Sequence, residues 1–252
     1  MKNFFWRVGR LWCAGIILLL LRLTQNRSGF DPATGLSVHS LPGATALVIL
    51  GLCAAAELAL SFRNHGEKSE FRAQFAPPEK ELLAAVLGSL LLAAGGILLA
   101  LQGFQTGDIA AGAAGVLAVA AGAGVLLLNR GARAGGELSV LLLIPAMLFA
   151  VFYVLAVYLP AEDDPVFMRY YLPVLTAAMI AYAFSELAGF LRKESSPRGF
   201  LFAGDLTVVL CLMAIADGTL AQALLLAGCA LILSVYLLLC RNEAPSPERE
   251  AQ

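Results

Sequence analysis

The composition of the chain excludes an ordinary water-soluble fold. Of its 252 residues, 60% are hydrophobic and only 14% are charged, and the formal net charge is −1 at pH 7. Soluble domains are about 45–50% apolar and about 25% charged, so this chain is far outside their range. It also lacks a basic patch with interleaved aromatic residues, so no nucleic-acid partner is expected.

The apolar residues occur in blocks of membrane-spanning length, without the alternation of a β-strand. A helix needs about 20 apolar residues to cross about 30 Å of hydrocarbon. The sequence therefore predicts an all-α fold, a polytopic bundle of about eight transmembrane helices whose partner is the lipid bilayer. The expected helices span about 6–24, 41–62, 80–101, 108–129, 137–159, 170–191, 200–216 and 218–240.

The segments between these blocks have the composition of loops. The first block follows Lys2, Arg7 and Arg10, as in a signal peptide, but no small-residue cleavage site comes after it, which predicts a retained helix. Residues 63–79 are interpreted as the longest polar linker. Pro145 lies inside the fifth block and predicts a kink there.

The distribution of basic residues predicts the orientation. Lysine and arginine in short loops mark the cytoplasmic side of a membrane protein. With eight helices, the side opposite the N-terminus carries only Arg22, Arg27 and Arg169. We therefore expect a protein of the cell membrane with both termini in the cytoplasm.

Several sequence markers recur in the same order in the two halves of the chain. They predict two parallel four-helix repeats, residues 1–136 and 137–241, followed by a disordered polar tail at 242–252. The alternative is a shared hairpin pattern without duplication. The paired markers are Asp31-Pro32 with Asp164-Pro165, Leu41-Pro42 with Leu172-Pro173, Glu57 with Glu186, Asp108 with Asp217, and Arg130 with Arg241.

Glu57 and Glu186 are the carboxylates predicted to lie well inside helices, each six residues before an arginine. Buried charge in a membrane is costly and usually faces protein or a water-filled cavity. One hypothesis is that the two glutamates face each other and bind a proton, a cation or a basic group of a solute. The alternative is that each lies near the interface and bonds a neighbouring helix or Ser185.

Three aspartates are secondary candidates for a polar site. Asp205, Asp108 and Asp217 are predicted to lie at or near helix starts. Aspartate is favoured there because its carboxylate accepts hydrogen bonds from unpaired N–H groups and complements the helix dipole. Capping is therefore the expected role of all three.

The remaining motifs give no indication of an enzyme. The chain has no nucleophile motif, no zinc-protease motif and no phosphate-binding loop. His39 and His65 fall on opposite sides of the predicted membrane, so no metal site, catalytic residue or cofactor is expected. Two functional classes remain: a transporter or permease-like protein for a small solute or cation, and a non-transporting component such as an accessory subunit, sensor or scaffold.

Overall fold

The described part of the chain is built from helices. The computed structural model describes residues 2–28, 41–62, 71–75, 82–131, 138–159, 171–192 and 194–240. A 3-10 turn, Ile215–Asp217, follows the ninth helix. The helices are α1 (Lys2–Ser28), α2 (Leu41–Ser61), α3 (Phe71–Gln74), α4 (Leu82–Thr106), α5 (Ile109–Gly131), α6 (Leu138–Leu141), α7 (Ile144–Tyr158), α8 (Tyr171–Leu191), α9 (Pro197–Ala214) and α10 (Leu220–Leu239).

Seven helices in the described ranges, α1, α2, α4, α5, α8, α9 and α10, are long and apolar enough to cross a membrane. This confirms the predicted membrane bundle. The predicted helix at 137–159 is divided into α6 and the shorter, 15-residue α7. Pro145 lies in the first turn of α7, where its missing N–H is not needed. The proline therefore begins a new helix instead of bending a continuous one.

Six of the described helices pack in a closed ring, in the order α4, α5, α7, α8, α9 and α10, with α10 returning to α4. Side chains from different sides of this ring meet inside it. Tyr153 of α7 is buried and lies close enough to Cys211 of α9 and Cys229 of α10 to interact with both. α1 and α2 lie outside the ring and pack against α9 and against each other.

The predicted halves make different helix contacts. α8 packs against α9, the next long helix in the chain, whereas its predicted counterpart α2 packs against α1 and α9. The duplication of 1–136 in 137–241 stays a prediction drawn from sequence markers. Among these markers, Asp31-Pro32, Asp164-Pro165 and Arg241 lie outside the described residues, as does the tail at 242–252.

The predicted linker 63–79 contains a short buried segment, residues 71–75. Phe71 and Phe75 are buried, and the ring of Phe75 lies 5.2 Å from that of Phe190, between centroids. It also contacts the rings of Phe200 and Tyr236 edge-on. Aromatic pairs of this geometry are worth about 0.5–1.5 kcal/mol each beyond their buried area. Two phenylalanines thus attach the linker to α8, α9 and α10.

Glycine allows α4 to approach both α5 and α10 closely. A Cβ at Gly96 of α4 would lie 2.7 Å from the carbonyl oxygen of Gly115 in α5. A Cβ at Gly228 of α10 would lie 2.6 Å from the backbone nitrogen of Leu92 and 2.8 Å from the carbonyl oxygen of Gly88. Backbone atoms cannot move aside as a flexible side chain can.

We expect Gly228→Ala to destabilise the protein by about 1–3 kcal/mol, the usual cost of overpacking a core. The added methyl group would force α10 away from α4. The measurement is the thermal unfolding midpoint of the purified protein in detergent. Gly51→Ala in α2 is the matched control, because in the described part of the chain no neighbouring group lies within 4 Å of a Cβ built there. Equal midpoints for the two variants would contradict the close contact.

Candidate functional site

Two arginines near the start of α1 bind carboxylates on two different helices. Arg7 and Arg10 are three residues apart, which places them on the same side of α1. Arg7 Nε donates to Asp205 Oδ2 at 2.9 Å and to Oδ1 at 3.2 Å, and Arg7 Nη2 also contacts Oδ2. Arg10 Nη2 donates to Glu57 Oε1 at 2.7 Å. α1 is thus joined to α9 and to α2 at the end of the bundle where α1 begins and α10 ends, called here the N-terminal end.

These four residues, called here the charged cluster, are desolvated to different degrees. Asp205 is fully buried, Glu57 is 5% exposed, and the side chain of Arg7 is 13% exposed. The side chain of Arg10 is 52% exposed. Removing charges from water costs several kcal/mol per ion unless each has a partner of good geometry. The buried carboxylates of Asp205 and Glu57 therefore depend on Arg7 and Arg10 respectively, and the side chain of Arg10 is about half exposed.

The two carboxylates of the charged cluster are also neighbours. The side chains of Glu57 and Asp205 are close enough to interact directly. Glu57 Oε1 has its partner in Arg10, but Oε2 is buried without a hydrogen-bond donor among the described residues. The pairing of the charged cluster is therefore incomplete at one oxygen atom.

A cavity of about 260 Å³ lies beside the charged cluster, between α1, α2 and α9. Arg10 and Glu57 form its polar part, and the other lining residues are largely apolar. Ligand sites typically combine an apolar wall with a few polar groups that orient the ligand. The apolar part is lined by Leu11, Ala14, Ile49, Leu52, Cys53, Ala56 and Val209.

A second buried ion pair lies at the other end of α1, called here the opposite end. Arg22 is 0% exposed, and its Nε donates to Asp217 Oδ1 at 2.9 Å and to Oδ2 at 3.0 Å. Gln25 and Asn26 also take part, because Arg22 Nη1 donates to Gln25 Oε1 and Asn26 Nδ2 donates to Asp217 Oδ1. The guanidinium also stacks 5.6 Å from the ring centroid of Tyr171. α1 is thus joined to the ring near both of its ends.

A larger cavity of about 590 Å³ lies at the opposite end, between α4, α5 and α7. Phe104, Val116 and Phe152 are among its walls, and Asp108 is the charged residue that lines it. Asp108 Oδ1 accepts from the backbone N–H of Ala111 at 3.0 Å, so the predicted capping role of Asp108 is confirmed. This cavity is otherwise apolar.

The capping roles predicted for Asp205 and Asp217 are wrong. α9 begins at Pro197 with Ser196 as its N-cap, so Asp205 lies two turns inside the helix. α10 begins at Leu220 after Thr219, which forms a capping box with Gln222, and Asp217 lies in the preceding 3-10 turn. Both helix starts are satisfied by other residues, and both aspartates bind arginines of α1 instead.

Glu186 and Ser185 lie in surroundings that differ from those of Glu57. Glu186 is partly buried, and its Oε2 lies 2.9 Å from where a Cβ at Gly199 would be. It also interacts with Tyr182. Ser185 is exposed, and its Oγ donates to the carbonyl oxygen of Tyr182 at 2.7 Å. The structure joins Glu57 to the charged cluster, whereas Glu186 lies at the junction of α8 and α9.

Sequence reasoning missed the roles of Arg7, Arg10 and Arg22, which it used only to orient the chain. One signal was available for Arg7 and Arg10: two arginines at i and i+3, at the start of a long apolar helix, form a cationic face. A cationic face of this kind needs carboxylates on neighbouring helices. The spacing could have suggested such partners, but not which carboxylates they are.

No protein-family model, curated protein or solved structure matches this chain. Its class is settled by the helices themselves, which are long and apolar enough to span a bilayer. This is an integral membrane protein.

Proposed function

We propose that the protein is a small-solute transporter or permease-like protein whose binding site is the charged cluster with its adjoining cavity. The observation that supports this proposal is the convergence of α1, α2 and α9, which bring two arginines and two carboxylates together beside a cavity of about 260 Å³. Ionisable groups within membrane-spanning helices are rare and commonly mark pathways for solutes or protons.

The shape and chemistry of the cavity favour a small solute or a cation. Glu57 offers an acceptor and Arg10 a donor at the polar end, while the walls are mainly aliphatic. A solute with one polar group and an apolar body would fit both parts. Transport would require α1 and α2, which lie outside the ring, to move against α9 and to break the pair between Arg7 and Asp205, in a rocking motion of the kind that opens transporters to alternate sides.

The same proposal includes the orientation and the membrane. Arg7 and Arg10 lie at the N-terminal end of the bundle. Basic residues near the ends of membrane-spanning segments mark the cytoplasmic side. The protein would then lie in the cell membrane with both termini, and the charged cluster, near the cytoplasm.

A second candidate is a non-transporting membrane component, such as an accessory subunit, a sensor or a scaffold. It is favoured by the pairing of each arginine in the charged cluster with a carboxylate, which suffices to hold α1 and α2 in place. It is also favoured by the exposure of α2, because only 22% of the residues in its membrane-spanning stretch are buried. That apolar surface is available to lipid or to another membrane protein.

The transport proposal predicts proton-coupled flux that depends on Glu57. The purified protein is reconstituted in liposomes that contain a pH-sensitive dye, and a pH gradient is imposed. A panel of small amines and carboxylates is then added outside. We expect at least one solute to accelerate decay of the gradient, and Glu57→Gln to return the rate to that of protein-free liposomes, because the amide cannot bind and release a proton.

The matched control is Glu194→Gln, since Glu194 is an exposed carboxylate at the same end of the bundle. This control should behave as the unmodified protein. Glu186→Gln separates a site confined to α1, α2 and α9 from the two-glutamate site predicted from the sequence. Decay no faster than in protein-free liposomes with every solute would favour the non-transporting component.

A further inference from the structure

One atom of the charged cluster, Glu57 Oε2, indicates what this cluster binds. Glu57 is 5% exposed, and its Oε2 has no donor among the described residues, although Oε1 accepts from Arg10. A buried carboxylate oxygen without a donor loses its hydration and gains nothing in return. Such an atom needs a proton, a cation or another hydrogen-bond donor as its partner.

The surroundings of Asp205 favour a proton over a cation or another donor as the partner of Glu57 Oε2. Asp205 is fully buried, it interacts with Glu57, and it already accepts the bidentate donation of Arg7. Two ionised carboxylates in contact away from water repel each other. A single proton placed between them removes the repulsion and supplies the missing donor in one step, as in carboxyl pairs that share a proton.

We propose that Glu57 and Asp205 form a proton-binding pair, in which one proton is shared in a hydrogen bond between Glu57 Oε2 and Asp205. The pair has this property whether or not the protein transports a solute. The proton bridges α2 and α9, so binding and release of the proton strengthen and weaken the contact between these helices.

The groups that face the pair are consistent with one bound proton. Arg7 and Arg10 contribute positive charge from α1, Cys53 faces Glu57 from its own helix, and Cys240 faces Asp205 from the end of α10. With the proton bound, the charged cluster carries a net charge of +1. Arg10 can bear this charge because half of its side chain is exposed.

The test is infrared spectroscopy of the purified full chain in lipid nanodiscs at neutral pH. A protonated carboxylic acid has a carbonyl band that an ionised carboxylate lacks, so the band reports directly whether the pair holds a proton. We expect the band in the unmodified protein and its loss in both Glu57→Gln and Asp205→Asn. The amide introduced by Glu57→Gln would mimic the protonated acid, since its oxygen can accept from Arg10 and its nitrogen can donate to Asp205; this variant should fold.

A second measurement distinguishes loss of the shared proton from loss of the band through misfolding. The thermal unfolding midpoint of the unmodified protein should fall as rising pH removes the proton, whereas that of Glu57→Gln should lose this dependence. Glu194→Gln, which changes an exposed carboxylate, should keep both the band and the pH dependence. An unmodified protein without the band, or a band that survives either substitution in the pair, overturns the proposal. A band without solute flux would leave the pair intact and count against transport alone.

Discussion

Replacing Asp217 by alanine should destabilise the protein by about 3–5 kcal/mol, the typical loss when one partner of a buried ion pair is removed. Arg22 is 0% exposed, and both oxygens of Asp217 accept from its Nε. Among the described residues, the groups that would remain against the guanidinium are Gln25 and the ring of Tyr171, and neither carries a negative charge. At about 2–4 °C per kcal/mol for a chain of this size, the thermal midpoint should fall by roughly 10 °C.

Asp108→Ala is the matched control at the opposite end. It removes a helix cap on Ala111, not the partner of a buried cation, so a loss of about 1 kcal/mol is expected. The double variant Arg22→Leu with Asp217→Ala should recover most of the stability, because no uncompensated charge remains. Losses of equal size in Asp217→Ala and Asp108→Ala would contradict the importance of the buried pair.

The positions of the helices could be predicted because each depends on a local property. A block of about 20 apolar residues must cross the membrane as a helix, since its backbone groups find no partners in lipid. The predicted bounds 41–62 and 170–191 differ from those of α2 and α8 by one residue at an end. Pro145 predicted a kink inside one helix, whereas the structure begins a separate helix, α7, at this point.

The starts of α9 and α10 show where local signals were present but misread. Ser196 precedes Pro197, and Thr219 stands three residues before Gln222, the pattern of a capping box. These signals identify the helix starts, so neither Asp205 nor Asp217 is needed as a cap. An aspartate inside a membrane helix and away from its cap needs a cationic partner.

The partners themselves could not be predicted, because they depend on which helices become neighbours. Arg7 and Asp205 are 198 residues apart in the sequence, and their contact exists only because α1 packs against α9. The matching sequence positions of Glu57 and Glu186 likewise do not determine which groups surround each side chain. One of them meets Arg10 and Asp205, and the other meets Tyr182 and the first turn of α9.

Replacing Asp205 by alanine should also cost about 3–5 kcal/mol of stability, this time at the N-terminal end. The substitution leaves Arg7, whose side chain is 13% exposed, without its bidentate partner. It also removes the neighbour of Glu57 Oε2, so α1 and α2 should both pack less firmly against α9. The measurement is the thermal midpoint in detergent, combined with hydrogen exchange of α1 and α2.

The control and the graded variants separate charge from hydrogen bonding. Glu194→Ala removes an exposed carboxylate at the same end and should change stability by no more than about 0.5 kcal/mol. Asp205→Asn should lie between Asp205→Ala and the unmodified protein, because its oxygen can still accept from Arg7 and its nitrogen can donate to Glu57. If the asparagine and alanine variants lose equal stability, only the charge of Asp205 matters. If both match Glu194→Ala, the pair with Arg7 does not hold α1 in place, and the ring must retain α1 through Arg22 and apolar packing alone.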